Sequence, residues 1–222
     1  MHRRTGCGRL FVVVVALSIV GPVAGGRLGA QDGGRSAAAD TLAPRHRVSR
    51  GVLRLDIGRL RTLRIDPEFS YLGGQRFILK EVADAEQHFF VVADSARLIQ
   101  RLYWIQLEQL LPDSEGRFAY DEDSTLVAGG LPLRTNVRTY STPPDTSSDR
   151  ARAYALLESR GYRMPEGATR VRLVYLPDTT ARREVMMVYV EAGAAADSAS
   201  AADDQTTLIN RALAGLTLRS RR

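Results

Sequence analysis

The sequence predicts an α+β fold, in which antiparallel β-hairpins form a sheet backed by one central helix and a C-terminal helix. Two pairs of β-favouring segments, at residues 77–92 and 170–191, are each interrupted by a short polar stretch, which is typical of hairpins. The clearest helical pattern, at residues 148–160, lies between these hairpins. Strands therefore do not alternate one by one with helices, and a parallel sheet is not expected.

The first 30 residues predict a cleavable secretory signal peptide. Arg3, Arg4 and Arg9 precede a mostly apolar run at residues 10–20, and small residues lead up to Ala30. As a helix this run would span about 16 Å, roughly half of the ~30 Å hydrocarbon core of a membrane. We therefore expect cleavage, no transmembrane span afterwards, and a protein exported to a periplasm or the extracellular space.

Cysteine usage bears on how the mature chain is stabilised. The single cysteine, Cys7, lies inside the predicted signal peptide. The mature chain would then have no cysteine and no disulfide, although export would allow one. Its fold is expected to depend on burial of apolar surface.

Composition divides the remainder of the chain into four parts. Residues 31–44 predict a flexible leader, and residues 45–191 a single α+β domain. Residues 192–203 are a low-complexity linker of Ala, Ser, Asp and Gly. Residues 204–218 predict a C-terminal helix that packs on the domain.

Both helices are predicted from spacing and end signals. The central helix has capping residues at 146–149 before it, Ala153, Leu156 and Leu157 on one face, and Gly161 after its last turn. Asp203 or Asp204 would cap the C-terminal helix. Its apolar face would comprise Leu208, Ile209, Ala212, Leu213 and Leu216.

The first hairpin has its predicted turn at residues 84–87, and its second strand leads through a tight turn at residues 94–97 into residues 98–111. The spacing in 98–111 fits a helix or a strand, but the β-favouring Tyr103-Trp104-Ile105 favours a strand. In the simplest register His88 faces Tyr103.

The second hairpin is predicted to pair Leu176 with Arg183. That register would place Glu184, Met186 and Val188 on one face with the apolar residues of the preceding strand. The residues of the preceding strand on this face would be Val171, Leu173 and Tyr175.

A candidate catalytic group centres on His88, because histidine is the commonest general base. Tyr103, Glu108 and Glu184 lie on predicted neighbouring strands and are its candidate partners. Candidate ligand-binding residues on the same strands are Trp104, Gln106 and Tyr189. The alternative is an amphipathic sheet edge with no catalytic role, and we favour it.

Several classes of function are disfavoured by composition. Residues 41–218 contain 22 Arg and one Lys against 23 Asp and Glu, a net charge of zero, whereas a nucleic-acid-binding domain usually has a basic body. The acidic residues at 113–123 do not have the spacing of a calcium loop, and His46 and His88 cannot supply a zinc site. We expect no metal, no cofactor and no nucleic-acid partner.

Residues 45–64 are locally basic, with seven arginines against one acid, Asp56. Such a segment suits an anionic partner, but it is equally typical of an edge strand protected against aggregation. The candidate residues for an anionic partner are Arg54, Arg59, Arg61 and Arg64.

Taken together, these patterns favour a non-enzymatic module of the cell envelope that binds a small apolar ligand or an envelope protein. One alternative is a small hydrolase or isomerase using His88 with Tyr103 or Glu108. Another is an envelope assembly factor that acts through its basic N-terminal segment.

Overall fold

The computed structural model describes residues 41–120, 123–139, 143–193 and 201–221. The predicted signal peptide, most of the predicted leader and the centre of the linker lie outside the described residues. The strands and helices, in chain order, are β1 (Val48–Ser49), β2 (Val52–Ile57), β3 (Leu60–Ile65), β4 (Ser70–Leu79), β5 (Ala83–Ala93), β6 (Ile99–Leu110), β7 (Ser124–Ala128), β8 (Leu131–Thr139), α1 (Asp149–Ser159), β9 (Thr169–Tyr175), β10 (Arg183–Glu191), α2 (Ala201–Ala214) and β11 (Leu216–Ser220).

Within the described residues these strands form two antiparallel sheets. The smaller sheet has the order β1-β2-β3-β11, and the larger has the order β4-β5-β6-β10-β9-β8-β7. The fold is broadly α+β, as the sequence predicts, but it is mostly sheet. Within the part of the chain that the structure describes, no helix is long and apolar enough to cross a membrane.

The main core lies between the two sheets. Leu53 and Leu63 of the smaller sheet belong to one buried cluster with Ile105 and Met187 of the larger sheet. Each such side chain contributes about 1.5–3 kcal/mol on leaving water. α2 adds Leu208 and Ala212 to the same cluster, with Ile209 and Leu213 partly buried against it.

A second core lies on the opposite face of the larger sheet. Phe89, Trp104 and Val188 pack there with Ala153 and Leu157 of α1. Period-2 alternation explains why neighbouring residues of one strand reach different cores.

The ends of α1 agree with the sequence signals. The Ser148 side chain accepts a hydrogen bond from the Ala151 backbone N–H at 3.1 Å, as an N-cap residue does. Gly161 has a φ of +78° directly after the helix, which confirms the predicted left-handed terminus.

The register of the first hairpin differs from the prediction. Residues 84–87 lie inside β5, and the turn is formed by residues 80–82, where Lys80 and Glu81 have φ values of +48° and +59°. Two consecutive residues with positive φ usually require Asn or Gly, so this turn has no recognisable sequence signal. As a result His88 faces Ile105, not Tyr103. Residues 99–110 are a strand, as the β-favouring residues indicated.

The second hairpin is shifted by one residue from the predicted register. Tyr175 pairs with Val185, so Val185, Met187 and Tyr189 lie in the core between the sheets. A one-residue shift moves every side chain to the other face, and Glu184 therefore faces the α1 side. The intervening loop is held by Asp178, whose carboxylate accepts from the backbone N–H of residue 180 at 2.9 Å.

The C-terminal segment also differs from the prediction. The helix begins at Ala201, ahead of the predicted caps, and ends at Ala214. Leu216 and Leu218, predicted as helical, instead belong to β11 and pair with β3. The chain therefore completes the smaller sheet with its last strand.

Candidate functional site

The main candidate for ligand binding is a cavity of about 400 Å³, called the cleft below. It lies where the start of β6, the end of β10, the end of α2 and the β3–β4 connection meet. Its lining residues are Asp66, Glu68, Phe69, Arg101, Tyr103, Tyr189, Glu191, Arg211, Ala214 and Gly215. The volume falls within the ~300–1,000 Å³ typical of small-molecule sites.

One wall of the cleft is aromatic. The Tyr103 ring lies 4.9 Å from Phe69 in an edge-on arrangement and 5.1 Å from Tyr189, measured between ring centres. The Tyr103 hydroxyl donates to the backbone carbonyl of Ala212 at 2.7 Å, which fixes the ring against the last turn of α2. Only glycine fits at position 215 beside this ring, because a Cβ there would lie 2.6 Å from the Tyr103 hydroxyl.

The tyrosines of the cleft remain protonated near neutral pH. Burial raises the pKa of Tyr103, and the nearby Tyr189 adds to the effect. Burial also raises the pKa of Tyr189, as does its hydrogen bond to the Glu191 carboxylate at 2.7 Å. Both phenols can therefore form hydrogen bonds or stacking contacts, but neither is activated as a base or nucleophile.

Two ion pairs stand at the mouth of the cleft. Arg101 donates to both oxygens of Glu68, at 2.6 and 2.7 Å, and its guanidinium lies 5.3 Å from the centre of the Phe69 ring. Arg211 donates to Glu191 at 2.6 Å. A bidentate pair of this kind is geometrically defined, so the charged groups are held in place before any ligand arrives.

The residues predicted as ligand contacts separate in the structure. Tyr189 lines the cleft, whereas Trp104 is buried beneath α1, with its ring centre 6.2 Å from Phe89. The Trp104 indole N–H has no hydrogen-bond partner among the described residues. Gln106 is fully buried on the same face as Trp104.

Gln106 belongs to a row of buried amides that crosses β4, β5 and β6 under the start of α1. The Gln75 amide donates to Gln87 at 2.7 Å, and the Gln87 amide donates to Gln106 at 2.7 Å. Gln106 in turn donates to Glu108, and to the Asp149 carboxylate at 3.0 Å. This amide row satisfies buried polar groups and connects α1 to the sheet.

Glu108 and Glu184 are directly opposite each other on β6 and β10, and both are buried. Burial raises the pKa of Glu184 to about 7, while a hydrogen bond from Tyr120 at 2.6 Å acts in the opposite direction. Burial and the charge of Glu184 raise the pKa of Glu108 well above its ordinary value. The pair therefore retains protons that exposed carboxyl groups would release.

His88 is brought to different partners from those predicted. Its Nε2 lies 2.8 Å from Glu86 Oε1, and its Nδ1 lies 3.0 Å from the Tyr71 hydroxyl. Glu108 and Glu184 lie on the opposite face of the larger sheet from His88. They are an even number of residues from Trp104 and Val188, which pack against α1, so they share that face. With Nε2–H donating to the carboxylate, Nδ1 accepts from the phenol.

Glu86 is held as a carboxylate. Burial acts to raise its pKa, but hydrogen bonds from the side chains of His46 and His88 and from the backbone N–H groups of residues 45 and 46 outweigh burial and lower it well below its ordinary value. Burial and the Glu86 charge together raise the pKa of Tyr71. Glu86 was missed because residues 84–87 were predicted as a turn, whereas in β5 residues 86 and 88 share one face of the strand. Tyr71 had no sequence signal, because the β4–β5 register contains a bulge between residues 71 and 73.

The predicted basic residues divide into two groups. Arg54 and Arg64 are exposed on the outer face of the smaller sheet. Arg61 instead pairs with Asp56, and Arg59 lies in the β2–β3 turn, where its backbone N–H donates to Tyr175 at 3.0 Å. Among the described residues, no group of three or more His, Cys, Asp or Glu side chains is arranged to hold a metal ion.

The chain matches no protein-family model, and no curated protein and no solved structure resembles it significantly.

Proposed function

We propose that this chain is an exported, non-enzymatic binding module whose cleft takes a small ligand with one apolar face and polar groups at its edge. In this proposal the two sheets, backed by α1 and α2, act as a rigid frame for the cleft. The observation that carries the proposal is a cavity of about 400 Å³ with an aromatic wall and two preformed ion pairs at its mouth.

The chemistry of the lining supports an amphipathic ligand. Phe69, Tyr103 and Tyr189 offer ring faces and edges, which pack against flat apolar groups. The ion pairs of Arg101 and Arg211 supply donors and acceptors beside those rings. A ligand with polar groups of both kinds, such as a small zwitterion or a polyhydroxylated ring, would satisfy both surfaces.

The electrostatics of the cleft support binding over catalysis. Its tyrosines have raised pKa values, and two of its carboxylates, Glu68 and Glu191, are already paired with arginines. General acid–base catalysis needs a group poised near the working pH. The side chains of the cleft are therefore better suited to binding a ligand in fixed positions than to transferring protons.

Native mass spectrometry of the protein purified from its own host tests this proposal. We expect a retained small molecule on the unaltered chain. Ala214 is exposed at the cleft, so Ala214→Trp should fill the mouth and abolish retention. Ala155→Trp, at an exposed position on α1, is the matched control and should keep it. Retention by both variants, or no retained mass on the unaltered chain, would contradict the proposal.

A second candidate function, a small hydrolase or isomerase, is favoured by the Tyr71–His88–Glu86 chain. A hydroxyl, an imidazole and a carboxylate linked in this order resemble the arrangement that activates nucleophiles in many enzymes. Its weakness is that the Tyr71 phenol has a raised pKa and does not line the cleft. If turnover of any ester or amide is found, His88→Ala should abolish it while the variant remains folded; undiminished turnover would exclude this candidate.

Export is a separate element of the proposal. It rests on the basic and apolar run at residues 3–20. Intact-mass analysis of the secreted chain should place its first residue near Gln31. A chain that retains Met1 and remains in the membrane would contradict export.

A further inference from the structure

The outer face of the smaller sheet is strongly basic. Leu53, Leu63 and Leu218 point inward, so their neighbours on β2, β3 and β11 point outward. Because side chains alternate between the two faces of a strand, each of these three strands has an exposed arginine on its outer side. A further exposed arginine lies just before β1. The basic face consists of Arg47, Arg54, Arg64 and Arg219.

Strand pairing arranges these arginines in two dimensions. Arg54 and Arg219 both pair with Thr62, from opposite sides of β3, while Arg64 pairs with Thr217. Neighbouring strands are about 4.8 Å apart, so the charges spread over a broad surface and not along a single groove. The sequence alone could not show this, because Arg219 lies far along the chain from the basic segment at residues 45–64.

The charges of the basic face are uncompensated. Among the described residues, none of its four arginines takes part in an ion pair, whereas Arg61 is paired with Asp56 and Arg101 with Glu68. The described body otherwise balances its charges. This face therefore concentrates the local positive potential.

A depression of about 330 Å³ lies at the edge of the basic face. Arg64, Thr217 and Arg219 line it together with Gly215 and the rim residue Asp66. Arg64 and Arg219 are diagonal neighbours across β3 and β11, a relation that places residues about 7–8 Å apart, close enough for both guanidinium groups to reach one phosphate. The Asp66 carboxylate is engaged by the backbone N–H of Glu68 at 2.9 Å.

We infer that the basic face docks on an anionic phospholipid surface, with a headgroup phosphate held between Arg64 and Arg219. A planar array of phosphates matches charges spread over three strands and the residue before β1. The exposed large apolar side chains of the described residues lie elsewhere, at Leu42, Tyr71, Ile78, Val82 and Val127. The face thus offers no aromatic platform for single-stranded nucleic acid and no apolar wedge for the bilayer. This inference goes beyond the proposed cleft function and is independent of it.

Vesicle co-sedimentation of the secreted chain tests the inference. Binding is expected to vesicles of equal parts phosphatidylcholine and phosphatidylglycerol, and not to phosphatidylcholine alone. Binding should disappear between about 0.15 M and about 1 M salt, where the Debye length falls from about 8 to about 3 Å. At about fivefold per arginine near the surface, R64Q/R219Q should weaken partitioning about 25-fold.

The matched control is R117Q/R138Q, which removes two exposed arginines from elsewhere on the molecule. It should partition nearly as the unaltered chain does, and both double variants should retain the unaltered melting temperature. Equal binding to both kinds of vesicle, or equal weakening by both double variants, would overturn the inference. Capture by heparin, RNA or inorganic phosphate through Arg64 and Arg219, without any vesicle binding, would also overturn it.

Discussion

We expect the buried Glu108–Glu184 pair to make the stability of this protein fall as pH rises through the mildly acidic range. The ordinary pKa of a glutamate is 4.5, and burial raises that of Glu184 to about 7. Between these values the folded state keeps a proton that the unfolded state releases, so the free energy of unfolding decreases with increasing pH. At about 1.4 kcal/mol per pH unit, the interval from 4.5 to about 7 corresponds to about 3 kcal/mol.

Glu184→Gln removes this titration while keeping the shape of the side chain. Its amide oxygen can still accept the hydrogen bond from Tyr120. Glu108 then loses a charged neighbour, so its own pKa should fall toward its ordinary value. We expect the decline in stability between pH 4.5 and 7.5 to be about 3 kcal/mol smaller in the variant than in the unaltered chain.

Urea unfolding at constant ionic strength, repeated across this pH range, measures the decline. Glu166→Gln alters an exposed loop carboxyl and should leave the decline unchanged. The reasoning would be refuted if the unaltered chain gained stability from pH 4.5 to 7.5, or if Glu184→Gln and the unaltered chain had parallel profiles.

Three further substitutions test other parts of the structure by urea unfolding. Gln87→Leu should cost about 1–3 kcal/mol for each partner left unpaired in the amide row, whereas Gln100→Leu at an exposed site should cost little; similar costs would show that the row does not stabilise the fold. Ser148→Ala should cost about 1 kcal/mol by removing the α1 N-cap, and no loss would mean that the cap is not formed in solution. Glu86→Gln should cost about 2 kcal/mol of unfolding free energy near neutral pH. This cost should shrink as pH falls below 4.5, where the depressed pKa of Glu86 ceases to favour folding; a cost that grew on acidification would contradict the reasoning.

Local signals predicted the elements whose ends are marked by particular residues. Ser148 and Gly161 define α1 because capping chemistry is local to a few residues. The β-favouring Tyr103-Trp104-Ile105 likewise identified β6. These features depend on the backbone of a short segment, so they can be recognised before any tertiary contact is known.

Strand register was less accessible, because it depends on turns without sequence signals. The turn at Lys80 and Glu81 has two positive φ values without Gly or Asn, and the loop after Tyr175 is held by the Asp178 side chain. A shift of one residue was enough to move Glu184 from the expected core face to the face that carries the amide row. The sequence therefore identified residues of the candidate sites without their partners.

The cleft could not be predicted from single segments, because it is built from residues that lie far apart in the chain. Its wall combines Phe69, Tyr103 and Tyr189, which lie on separate parts of the chain, with Gly215 at the junction between α2 and β11. That junction was predicted as continuous helix. Since α2 ends at Ala214, β11 can return along β3, and the cleft is bounded by this return.

The proposal that the cleft is the ligand site is tested most directly by mapping where small molecules bind. Amide chemical shifts of the labelled protein can be followed while a fragment library of aromatic zwitterions and polyhydroxylated rings is added. We predict that bound fragments shift the amides of Arg101, Tyr103, Tyr189 and Gly215, and that Ala214→Trp removes these shifts. Fragments that bind only elsewhere, or a cleft whose amides respond to none of them, would contradict the proposal.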